Sequence, residues 1–190
     1  FSAFRHAPVL EANLINYLWP LMIILFTPLL LRNHPLHRQH LLAGLLGLMG
    51  TLLVMVDGTL SPRWDYLPGY LLALAAAVTW GFYSVLSRRL PSAPAPVIGA
   101  CCLFSGLLAL AIAHLTEGPL PWAQISNSDW LLIIGLAIGP MGTAFITWYL
   151  ALREGDPRRI GALAYLTPLL STLFLVLVNG ESLSLRHVVA

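Results

Sequence analysis

Asn13, Asn16, Tyr17 and Pro20 are spaced i, i+3, i+4, i+7, which places two carboxamides, a phenol and a proline on one helical face. The surrounding residues are almost all apolar, so these side chains must face protein or water and not hydrocarbon. Such a stripe can hydrogen-bond the charged ends of a small solute such as an amino acid. For Asn13 and Asn16 the competing reading is hydrogen bonding to a neighbouring helix, and both readings stay open. Trp19 lies well inside the same stretch, where the usual interfacial role of a membrane tryptophan does not fit. Trp80 sits at similar depth in a later stretch and shares a face with Ala76, Tyr83, Ser84 and Ser87. Large aromatics converging from two helices can sandwich a flat apolar group while hydroxyls hold its polar end. Plain aromatic packing is the alternative.

Other chemistries have little to build on. Glu11 and Asp57 are the only acids within or at the edge of the apolar stretches, which leaves no carboxylate relay of the kind that couples transport to protons. His114 is the single histidine inside a stretch and reads as interfacial. Ser105 and His114, nine residues apart on one helix, are separated by more than two turns. No Gly-x-Ser-x-Gly motif surrounds the serine, so no hydrolase is expected. The two cysteines, Cys101 and Cys102, are adjacent in an apolar run and read as small packing residues. No catalytic residue, metal site or cofactor is expected.

The elements that must position the polar stripe are set by composition. Of the 190 residues, 58% are hydrophobic and 9% charged, against about 25% charged in an ordinary soluble domain. The mean hydropathy is +0.80. There are too few charges to cover a water-facing surface. All ten basic residues are arginine and eight acids nearly balance them, so a net charge of +2 gives no basic stripe for nucleic acid. The expected partners are the lipid bilayer and a small solute, with the oligomeric state open and a monomer compatible.

Crossing the hydrocarbon core takes about 20 mainly apolar residues. Six stretches qualify: Val9 to Leu31 (A), His40 to Val56 (B), Gly69 to Ser87 (C), Pro96 to Leu115 (D), Trp130 to Leu152 (E) and Ile160 to Asn179 (F). A seventh begins near Leu185. Gly44, Gly47 and Gly50 make B the least regular. Arginines cluster after A (Arg32, Arg38), after C (Arg88, Arg89) and after E (Arg153, Arg158, Arg159), whereas the alternate loops carry Asp57, Asp65, Glu117, Asp129 and Glu181. Positive residues stay on the cytoplasmic side. The loops after Leu31, Ser87 and Leu152 are therefore expected there, and A enters from outside. On E, Gly135, Gly139, Thr143 and Thr147 form a small-residue seam suited to close helix approach.

A shift of 148 positions lays A on F without a gap: Ala3, Arg5, Tyr17, Leu18, Pro20 and Leu21 fall on Ala151, Arg153, Tyr165, Leu166, Pro168 and Leu169. One period holds five spans, and an odd number reverses the orientation of the repeated unit. Inverted repeats of this kind are typical of secondary transporters, with the solute site near the midplane. Residues 1–57 read as the last two spans of a first five-helix repeat, and 58–190 as a second repeat truncated in its last span. Phe1 is preceded by no methionine or signal-like segment, and the last apolar stretch has only begun where the sequence stops. Both ends read as interior to a longer chain.

The residues Ala12 to Pro20, their second copy at Gly161 to Pro168, the Trp80-Gly81 pair and the acidic Gly180-Glu181 loop resemble the drug/metabolite transporter superfamily, in its EamA-type ten-helix branch. More narrowly, Glu11 to Pro20 is similar to the aromatic amino acid exporters of that branch. The resemblance implies an all-α integral membrane protein of two inverted five-helix repeats, in a bacterial inner membrane. It also implies export of aromatic or other amino acids by alternating access through a central aromatic-lined cavity. The expected solute-binding residues are Asn13, Asn16, Tyr17, Trp19, Trp80, Tyr83 and Tyr165. Exporters of other metabolites, nucleobases or drugs share the scaffold, and a non-transporting structural role is a further alternative.

Overall fold

A computed structural model describes residues 2–55, 63–90, 95–118 and 125–179, and the regular structure among them is helical. The helices are α1 (Ser2–His6), α2 (Val9–Asn16), α3 (Trp19–Leu30), α4 (Arg38–Met55), α5 (Leu67–Arg89), α6 (Ala95–Glu117), α7 (Asn127–Ile138), α8 (Ala144–Glu154), α9 (Pro157–Ala164) and α10 (Leu166–Asn179). A 3-10 turn, Trp64–Tyr66, leads into α5. Five described stretches are long and apolar enough to cross a membrane: Val9–Leu30, Arg38–Met55, Trp64–Arg89, Gly99–Thr116 and Asn127–Glu154. They overlie the expected spans A to E. The sixth stretch is helical on both sides of a break at Tyr165. The apolar run beginning near Leu185 lies outside the described residues, as do Asp57, Ser61 and Glu181.

Two of the expected spans are interrupted, and proline explains where. Pro20 has no N–H to give the carbonyl of Asn16, and α2 stops at Asn16. The chain tightens there, Leu18 N–H donating to the Ile15 carbonyl at 3.1 Å before Met22 N–H resumes on Leu18 at 3.0 Å. Pro168 likewise cannot serve Ala164, where α9 stops, and Tyr165 N–H turns back to Ala162 at 3.2 Å. The two breaks fall at Tyr17 and Tyr165, 148 positions apart in the sequence. Pro140 is accommodated differently, in a π-helical turn over Gly139–Thr143 where the Thr143 hydroxyl donates to the Ile138 carbonyl at 2.8 Å.

The described helices form two compact units, residues 1–89 with 149–190, and residues 90–148. In the first, α3 is central: it packs on α4, α5 and α9, while α4 also meets α9 and α10, and α1 and α2 lie against α5. The contact face of α5 is Gly69, Ala73, Ala77, Gly81 and Val85, a small-residue stripe at steps of four. A Cβ on Gly81 would come within 2.5 Å of the Met22 Cβ and 3.2 Å of the Trp19 carbonyl oxygen, so only glycine permits this approach of α5 to α3. Gly161 serves α9 in the same way, since a Cβ there would lie 3.0 Å from the Pro20 carbonyl oxygen. In the second unit the described residues of α6 and α7 are almost all accessible and apolar on every side, the pattern of a helix that meets lipid or other helices and not water. A Cβ at Gly135 or Gly139, in the seam expected on E, meets no described residue within 4 Å.

Candidate functional site

All seven expected binding residues belong to the first unit. Asn13 and Asn16 end α2, Tyr17 occupies the break, and Trp19 opens α3; all four are half-buried. Trp80 is half-buried on α5, and Tyr83, one turn further, is 52% exposed. Their ring centroids are 5.7 Å apart at a 36° tilt, within the range of an attractive aromatic pair. The Gly81 contact brings the backbone next to Trp80 against the Trp19 carbonyl, so the two tryptophans lie at the same level of adjoining helices. Further along the same pair of helices, Phe26 meets Phe82 edge-on at 5.7 Å. The face expected around Trp80 divides: Ser84 is fully buried, and Ser87 folds its hydroxyl back onto the Ser84 carbonyl at 2.9 Å.

Tyr165 is more deeply buried than the other six. It is 3% exposed and lies against α4, where a Cβ on Gly47 would meet its ring carbon at 2.6 Å. Its hydroxyl is buried with no hydrogen-bond partner among the described residues. The backbone N–H of Leu21, in the first turn of α3, is the polar group facing it, without reaching hydrogen-bond geometry.

Charged side chains gather at the ends of the helices. Near the start of α2, the Tyr70 hydroxyl donates to the Glu11 carboxylate, joining α2 to α5. At the opposite end two arginines bind main-chain carbonyls. Arg88, in the last turn of α5, donates to the carbonyls of Leu152, at 2.6 Å, and Gly155. It thereby caps the negative end of α8. Arg158, 8% exposed, donates to the Pro35 carbonyl and holds Asp156 through Nε at 2.9 Å and a terminal nitrogen at 2.6 Å. Asp156 in turn caps α9, accepting from the Arg158 N–H at 3.0 Å. The guanidinium beside it holds the Asp156 carboxyl down to about 2. In the sequence these arginines register only as topology-setting charges, and their carbonyl partners have no local signature. The α5 stripe, by contrast, has the same small-residue spacing as the seam on E.

The chain resembles known proteins along most of its length. Residues 67–190 match the EamA-like transporter family. The protein named aromatic amino acid exporter YddG of Ancylobacter novellus is 42% identical over 181 residues, covering 94% of this chain and 62% of that protein. An uncharacterized transporter of Methanothermobacter thermautotrophicus is 28% identical over 187 residues, covering 93% of this chain and 52% of the relative. A solved crystal structure superposes with a TM-score of 0.90 at 39% identity, over 99% of this chain and 65% of the other. The chain thus spans less than two thirds of the length of these relatives. With the family match over residues 67–190 and the apolar helices described above, the chain belongs to the EamA-like transporter family and is part of an integral membrane protein.

Proposed function

We propose that the full-length protein exports aromatic or closely related amino acids across a bacterial inner membrane by alternating access. The observation that carries this reading is the aromatic pair of Trp80 and Tyr83, tilted against each other with Tyr83 half exposed, next to the glycine contact where α5 meets the Trp19 main chain of α3. A flat ring laid against that pair gains dispersion and quadrupole attraction of about 0.5 to 1.5 kcal/mol per aromatic contact beyond area burial. Asn13, Asn16 and Tyr17, one turn away at the end of α2, supply hydrogen bonds for the charged end of the solute. Tyr165 contributes a buried hydroxyl near the first turn of α3. The 42% identity to a protein named as an aromatic amino acid exporter supports the substrate class.

The same reading makes residues 1–57 and 58–190 parts of two inverted five-helix repeats. Its support is that both breaks, at Tyr17 and Tyr165, precede a proline by three residues and coincide under the 148-residue shift. Discontinuous helices at the midplane are where secondary transporters place their solute. The test is uptake into inside-out vesicles carrying the full-length protein, with radiolabelled phenylalanine, tryptophan, threonine and a lipophilic cation in parallel. Flux of phenylalanine and tryptophan well above the other two is expected. Preference for threonine or the cation would move the substrate class, and no flux of any solute would overturn the reading.

A further inference from the structure

We propose that Arg158 is a releasable tie that holds the arginine-rich end of the helix bundle shut, whereas Arg88 is a permanent brace. The distinction comes from which parts of the chain each guanidinium joins. Arg88 binds the carbonyls of Leu152 and Gly155, and all three residues lie in the second proposed repeat, so relative motion of the repeats leaves those bonds intact. Arg158 belongs to the second repeat, but its Pro35 partner lies in the loop between α3 and α4, in the first, 123 residues away. That bond must break if the two repeats part at this end. The inference rests on the transport reading in this one respect: the tie has to open once per cycle.

The local chemistry suits a contact that breaks and re-forms. Asp156 stays on Arg158 through three nitrogen–oxygen contacts of 2.6 to 3.2 Å, so release from Pro35 leaves the guanidinium paired and costs no isolated charge. What is lost is one charge-assisted bond to a carbonyl, which water can replace once the end opens. Arg88 is bound to no comparable acid among the described residues, and its bonds cap helix α8 whether the end is open or closed.

The experiment uses the full-length protein in lipid nanodiscs with spin labels on cysteines at Leu36 and Arg159, both exposed and each next to one partner of the tie. Distances are measured by pulsed electron resonance without any solute. The expected result is one short distance in the parent protein and a second, longer component in Arg158→Ala. In Arg88→Ala the distribution should be unchanged while the melting temperature falls. Arg158→Lys, which keeps the charge but cannot span Asp156 and Pro35 together, serves if the alanine variant does not fold, and should show the longer component too. An unchanged distribution in a folded Arg158 variant, or a longer component in Arg88→Ala, overturns the assignment. The distances need no substrate, so this outcome and that of the flux assay are read separately.

Discussion

Gly47 and Tyr165 meet so closely that a methyl group on the glycine would lie 2.6 to 2.7 Å from three carbons of the tyrosine, its Cβ, Cγ and a ring carbon. These are the root of the side chain, not its mobile end, and Tyr165 is nearly fully buried. The ring has nowhere to swing. Gly44, one turn earlier, faces the tip of Ile24 at 2.7 Å, a flexible methyl that another rotamer can move aside.

Gly47→Ala is therefore expected to destabilise the protein by roughly 1 to 3 kcal/mol, the usual cost of overpacking, and Gly44→Ala to cost much less. Melting of a fluorescent fusion in detergent distinguishes the two. Equal losses would mean that α4 does not seat on Tyr165 as described.

Trp80→Ala should reduce phenylalanine flux about tenfold or more, equivalent to about 1.4 kcal/mol, with insertion intact. Trp19→Ala should act alike, because the two residues lie at the same level of adjoining helices. Leu72→Ala, exposed on α5 about two turns before Trp80, is the control. Wild-type flux in both tryptophan variants would reduce these residues to packing.

Sidedness is expected to follow the arginines. A cysteine at Asn33, exposed between α3 and α4, should react only with reagents that reach the cytoplasm. One at Asp65, exposed before α5, should react with impermeant maleimide from outside. The reverse pattern would invert the orientation.

The Asp156–Arg158 pair gives a pH window. The Asp156 carboxyl is held down to about 2 by Arg158, below the value of about 3.9 for an unfolded aspartate. Its stabilisation is complete above about pH 4 and is lost as pH falls towards 2. The melting difference between the parent protein and Asp156→Asn should stay constant from neutral pH down to about 5 and shrink below about 4. A difference that persists undiminished at the acid end would mean that the neutral cap, not the charge, supplies the stability.

Hydropathy marks a span because crossing the bilayer is decided locally: about 20 residues must each be tolerable in hydrocarbon. The extents of A to E were legible on that ground, whereas A and F were read as continuous, and their breaks at Tyr17 and Tyr165 follow from the missing N–H of Pro20 and Pro168, which acts within four residues. The aromatic and amide residues of the proposed site could be named for the same reason, as unusual side chains at membrane depth. Which helices touch is a different matter. Lipid tails are as apolar as leucine, so no hydrophobic gain selects one face over another, and close packing of small residues decides. Two stripes had the right spacing, and only the tertiary structure places Gly69, Ala73, Ala77 and Gly81 in contact. It also decided that Tyr165 seats on Gly47, and that Arg158 finds a carbonyl 123 residues away. A main-chain oxygen carries no side-chain identity, so no pattern of residues could have announced it.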